Sequence, residues 1–121
     1  MNWVAKDPES YDGQIVGDGQ CVAYVQQACG APHTSQWKRG ALVKGTIVAQ
    51  RTAIATFDLH GRYANQVGRS HAAIFHEQTS TGLLVWDQWV GHPVSTRPIR
   101  FKNGRGEPVD DGDQFYIIEL F

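Results

Sequence analysis

Gly17-Asp18-Gly19-Gln20-Cys21-Val22-Ala23-Tyr24 sets a cysteine at the start of a predicted helix, directly after a glycine-rich turn. The first N–H groups of a helix have no intrahelical acceptor, and the macrodipole places its positive end there. Both favour thiolate over thiol, and the thiolate is the nucleophile. Val22, Val25 and Cys29 recur at helical spacing, with Ala28 widening the stripe. They predict a helix over residues 20–28 with that stripe turned inward. Asp18 is the expected N-cap, and Gly30 and Pro32 stop the helix.

Working outward, residues 1–17 read as an irregular segment punctuated by Pro8 and Gly13 and pinned by Tyr11 and Ile15. Downstream, Thr34 or Ser35 is expected to cap a second short helix that includes Trp37 and ends near Gly40. From Gly45 the pattern changes to strands, expected at 46–49, 52–57, 71–77, 82–89, 95–101 and 114–120. A polar loop fills 58–68, and 79–82 reads as a hairpin turn. Helices first and an antiparallel sheet after describe an α+β fold, with N-terminal helices packed on the sheet.

That layout brings chemistry together. Ser70-His71-Ala72-Ala73-Ile74-Phe75 opens a strand on a histidine, and Leu83-Leu84-Val85-Trp86-Asp87-Gln88-Trp89 carries one carboxylate on the next strand. A short hairpin joins the two, so His71 and Asp87 can be cross-strand neighbours. Cysteine, histidine and acid in that order point to a thiol hydrolase.

Composition narrows the alternatives. The 121 residues predict a single domain over 1–121. A net charge of −1 gives no basic excess for nucleic acid. No run approaches the roughly 18 apolar residues of a membrane span, so no membrane insertion is expected. Residues 1–7 lack the basic-then-apolar layout of a signal peptide. Synthesis in the cytoplasm, with any export by another route, is the expectation. Cys21 and Cys29 stand eight positions apart. On one helix that is about 12 Å, too far for a disulfide. Two thiols without histidines at ligand spacing make no zinc site, so neither metal nor cofactor is expected. Cys29 reads as a small buried hydrophobe. His33, His76 and His92 read as loop or surface residues, as do Arg62 and Asn65.

Gly19-Gln20-Cys21-Val22-Ala23-Tyr24 resembles the Gly-Gln-Cys-x-x-Tyr helix start of CHAP-type amidases. Ser70-His71-Ala72-Ala73-Ile74-Phe75 resembles that family's histidine strand, and Val85-Trp86-Asp87-Gln88-Trp89 its following acidic strand. These are papain-fold peptidoglycan hydrolases related to the NlpC-type peptidases, and the likeness spans residues 17–90. The tracts 52–57 and 61–65 resemble small amidase effectors of type VI secretion systems.

The resemblance implies Cys21 as nucleophile, His71 as base and then acid, and Asp87 as the group orienting His71. It also implies peptidoglycan stem or cross-link peptides as substrate, a cognate immunity protein, and action in the periplasm of a target cell. Two departures stand out. The family pattern has Glu followed two positions later by Asn, where this chain has Asp87 and Trp89. That leaves open whether Asp87, Gln88 or a backbone carbonyl orients the imidazole. The papain pattern also places an oxyanion-binding glutamine several residues before the cysteine. Gln14 can serve; Gln20 is adjacent but is expected to point elsewhere. The Cys21 N–H is a donor in either case. Trp37, His60 and Tyr63 are candidate cleft residues. Two other readings share these residues: a thiol deamidase or transferase acting on a protein, and a non-catalytic cell-wall-binding module.

Overall fold

The runs 53–55 and 72–75 show no polar alternation because both of their faces are buried. They are the inner strands of one six-stranded antiparallel sheet. The structure, a computed structural model, describes residues 3–121; the first two positions of the segment read as irregular lie outside the described residues. Its strands are β1 (Trp37–Leu42), β2 (Ala53–Ala55), β3 (Ala72–Gln78), β4 (Gly82–Trp89), β5 (His92–Arg100) and β6 (Tyr116–Leu120). Their spatial order is β1-β6-β2-β3-β4-β5. The helix α1 spans Cys21–Cys29, and short 3-10 turns lie at Pro8–Tyr11, Thr34–Gln36, Pro108–Asp110 and Gly112–Gln114. The architecture is α+β, with the helix ahead of the sheet, as the element order predicts.

Tyr24 and Val25 of α1 pack on the sheet face made by Ala53, Ala55, Ala72, Ile74 and Ile118. The small alanines let the helix approach the inner strands closely. On the opposite face Ile54, Phe75, Val85, Leu83, Ile99 and Phe115 form a second apolar layer. Burying α1 against the first layer brings its N-terminus to the start of β3 and the end of β4.

Several expectations are corrected. The buried residues of α1 are Cys21, Tyr24 and Val25, rather than a Val22–Val25–Cys29 stripe. Tyr24 can be fully buried because its hydroxyl donates to the Pro8 carbonyl at 3.0 Å. The N-cap position is Gln20, with no side-chain cap; Asp18 Oδ1 accepts instead from the Gln20 N–H at 3.0 Å. Trp37 opens strand β1 rather than lying in a helix that ends near Gly40, because pairing with Leu120 of β6 overrides the local signals. Residues 46–49 form no strand. β5 begins at His92, earlier than expected, after a two-residue turn at Val90-Gly91 with Gly91 at φ 88°. Pro93 and Pro98 obscure that strand in the sequence. They are tolerated because β5 lies at the sheet edge, where a missing N–H costs no ladder bond. The 79–82 turn closes as expected, with the Thr79 N–H on the Gly82 carbonyl at 2.8 Å.

Candidate active site

The turn before α1 is built for a close approach. Gly17 has φ 57°, and a Cβ there would sit 2.9 Å from the Ala23 Cβ. Glycine satisfies both demands. Gln88 of β4 then clamps this turn from below. Its Oε1 accepts from the Val16 N–H at 2.9 Å, and its Nε2 donates to the Val16 and Gln20 carbonyls, each at 2.8 Å. A single buried side chain thus fixes the backbone on which the cysteine is mounted.

Cys21 is the first residue of α1 and is buried, yet it lines a cleft of about 360 Å³. Its N–H has no acceptor among the described residues, so the donor remains free at the helix start. The Tyr63 hydroxyl lies 3.6 Å from Sγ. Burial and the neighbouring thiolate hold the Tyr63 pKa far above its ordinary value, so the phenol keeps its proton and can donate to sulfur. Trp37 stands behind Tyr63 edge-on, with ring centroids 5.0 Å apart.

His71 precedes β3, and its Nε2 lies 2.7 Å from Oδ2 of the fully buried Asp87. That leaves Nδ1 as the ring nitrogen available to Cys21, whose thiol is within electrostatic reach of the imidazole. Burial opposes charge on the imidazole, but Asp87 and Cys21 outweigh it and raise its pKa from 6.5 to about 9. Burial likewise opposes the thiolate. The neighbouring His71 imidazole, with help from the Ala72 backbone and Tyr63, more than offsets it and lowers the Cys21 pKa. The pair is therefore biased toward thiolate and imidazolium. Cys29 has no such partners, and burial pushes its thiol up to about 12.

Arg97 is the member that sequence reading missed. Its Nε and Nη2 donate to the same Asp87 oxygen at 2.9 and 2.8 Å. Nη2 also lies 3.3 Å from His71 Nε2. With His71 protonated at Nε2 these are two donors sharing one acceptor, not a bond to each other. The guanidinium rests over the Trp89 ring at 4.9 Å, and that ring stacks on His92 at 4.0 Å. Asp87 pairs with Ser95 across β4 and β5, so Arg97 is its diagonal neighbour on the same face. Only the register of the hairpin carried that signal.

The structure sorts the remaining candidates. Gln20 and Tyr63 line the cleft with Cys21. Gln14 does not; its amide donates to the Ser10 carbonyl at 3.2 Å. Trp37 is fully buried and supports Tyr63 from behind. Gln88 is committed to backbone and faces neither His71 nor the cleft. His60 lines a neighbouring hollow instead. Asn65, Gln66 and Ser70 line the cleft opposite the helix. No cluster of groups suited to a metal ion occurs among the described residues.

The sequence matches the family described as domesticated amidase effector 2 over residues 2–118. The domesticated amidase effector 2 of Ixodes scapularis is 41% identical over 94% of this chain and 82% of its own length. A type VI secretion amidase effector 2 protein of Salmonella typhi is 40% identical over 89% of this chain and 91% of its own length. The solved structure of a type 6 secretion amidase effector 2 (Tae2) superposes with a TM-score of 0.87 at 32% identity, covering 98% of this chain and 95% of that one. With its family match and relatives of this similarity spanning nearly the whole chain, the protein belongs to the domesticated amidase effector 2 family and is an amidase.

Proposed function

We propose that this chain, as a single papain-like domain, cleaves amide bonds in bacterial peptidoglycan peptides with Cys21, His71 and Asp87. The observation that carries the reading is the 2.7 Å pair of His71 and the buried Asp87 set beside the Cys21 thiol, at a helix start that opens onto a cleft. The Cys21 thiolate attacks the amide carbonyl, and the developing oxyanion takes the free N–H of Cys21. Imidazolium His71 passes its proton to the leaving amine as the C–N bond breaks. Water then attacks the thioester with His71 as base, releasing the acid and restoring the thiol. Asp87 holds the ring, and Arg97 holds Asp87.

The peptidoglycan assignment rests on the names of the relatives, which are amidase effectors of type VI secretion. On that reading the protein is an antibacterial effector acting in the periplasm of a target cell. A producing cell then needs an immunity protein that blocks the cleft.

The test is digestion of purified sacculi by wild type and Cys21→Ala, with released muropeptides read by mass. Fragments from wild type alone support the reading and identify the bond. Intact sacculi, with Cys21 still reacting fast as a thiolate, would sink the peptidoglycan substrate and favour a protein amide.

A further inference from the structure

Beside the cleft lies a second hollow of about 430 Å³, larger than the first. The two share Gln66 and Ser70, which form the ridge between them. That ridge is stiff: Ser70 Oγ accepts from the Gln66 N–H at 2.9 Å, and the Ser70 N–H donates to the Gln66 carbonyl at 2.8 Å. Arg39, His60 and Arg69 line the hollow above an aromatic floor of Phe57 and Tyr116.

Its charge is uncommitted. The Arg69 side chain has no hydrogen bond or ion pair among the described residues, and neither does the His60 ring. The Arg39 guanidinium reaches only the Asp58 carbonyl, at 3.5 Å, and the Tyr116 face, at 5.4 Å. Asp58 is the one carboxylate lining the hollow, and its Oδ1 is turned to the backbone N–H groups of His60 and Arg62. Two arginines without carboxylate partners, in a concave site, suit a carboxylate ligand in planar, two-pronged geometry.

We infer that this hollow is a second substrate subsite, which takes a free carboxylate of the peptide whose amide lies at Cys21. The inference rests on the proposed peptide substrate and adds where its far end binds. A cross-linked peptide joins two stems, and one cleft beside Cys21 holds only part of it. The chain continues over the Gln66–Ser70 ridge, where Arg39 and Arg69 meet an acidic side chain or terminus. Leu59, fully exposed on the rim, offers apolar contact to small side chains.

The experiment measures binding rather than turnover. Cys21→Ala protein is titrated at low salt with a cross-linked stem peptide bearing free carboxylates, and with its fully amidated counterpart. The amidated peptide is expected to bind about fivefold more weakly, the scale of one partly exposed ion pair. Arg39→Gln/Arg69→Gln, and the single variant Arg69→Gln, should reduce that discrimination; both positions are exposed, and circular dichroism checks the fold. Equal binding of the two peptides, or discrimination that survives both substitutions, would overturn the subsite. Sacculus digestion by wild type, run alongside, reports separately on the peptidoglycan reading.

Discussion

Arg97 Nη2 and His71 Nε2 stand 3.3 Å apart, both held by one oxygen of Asp87. Two cationic groups competing for one buried carboxylate oxygen make its hold on the imidazolium weaker than an undivided one. Arg97 also anchors Asp87 in place. Replacing Arg97 by Gln should therefore lower kcat roughly 10- to 100-fold through misplacement, with KM little changed. It should also move the alkaline limb of the pH–rate profile above its wild-type position, because a positive neighbour of His71 is gone. A profile that keeps its alkaline limb would show that Arg97 serves the fold alone.

Asp87→Asn removes the carboxylate and keeps the shape. His71 then loses its main stabiliser as a cation, and the alkaline limb should fall from about 9 toward 6.5. The rate should drop roughly a thousandfold, since an amide no longer dictates the tautomer or stabilises charge. Steady-state kinetics from pH 5 to 10 decide it.

In wild type the pH–rate profile should be bell-shaped. The acid limb reports formation of the thiolate, below the ordinary thiol value, and the alkaline limb reports loss of the imidazolium proton near 9. Both limbs belong to the coupled pair rather than to either residue. Stability follows the same linkage. The folded His71 pKa is raised, so its contribution is complete below 6.5 and is lost as pH rises through about 9. Cys21 has a lowered folded pKa, so its contribution appears at alkaline pH and is lost as pH falls. In Cys21→Ala only the His71 part remains, and urea unfolding should show stability declining from pH 6.5 upward.

The two cysteines should differ sharply in reactivity. Cys21 has His71 and Tyr63 to support a thiolate, whereas Cys29 is held at about 12. Brief alkylation at pH 7 followed by peptide mass analysis should find Cys21 labelled at least about a hundredfold faster. Comparable labelling would contradict the electrostatics of the site.

Gln88→Leu keeps volume but strands the buried Val16 N–H; the Val16 carbonyl keeps the Gly19 N–H at 3.0 Å, and the Gln20 carbonyl keeps the first bond of α1. Leaving that buried donor unpaired should cost about 2 kcal/mol. Thermal unfolding measures that loss. Activity per folded molecule should fall as well, because the freed turn carries Cys21.

Local signals made much of this protein legible. The glycine turn before Cys21, the hairpin at 79–82 and the apolar strands 72–75 and 82–89 obey rules that act over a few residues. So do the place of Cys21 at the helix start and its order relative to His71 and Asp87. Where the reading slipped, a distant partner had overruled a local preference. Trp37 entered β1 because β6, some eighty residues later, pairs with it. Tyr24, outside the predicted inward stripe, is buried because the Pro8 carbonyl takes its hydroxyl.

The site divides along the same line. By itself the sequence determined the helix start that exposes a thiol to free N–H groups, and the strands that carry a histidine and an acid. Backbone sterics and hydrogen-bond periodicity act locally and leave their marks on spacing. Tertiary structure alone decided that Arg97 shares Asp87 with His71, that Gln88 clamps the Cys21 turn, and that Gln14 stays away. These depend on sheet register and on which buried polar group finds a partner, and such pairings form between residues whose separation along the chain carries no pattern.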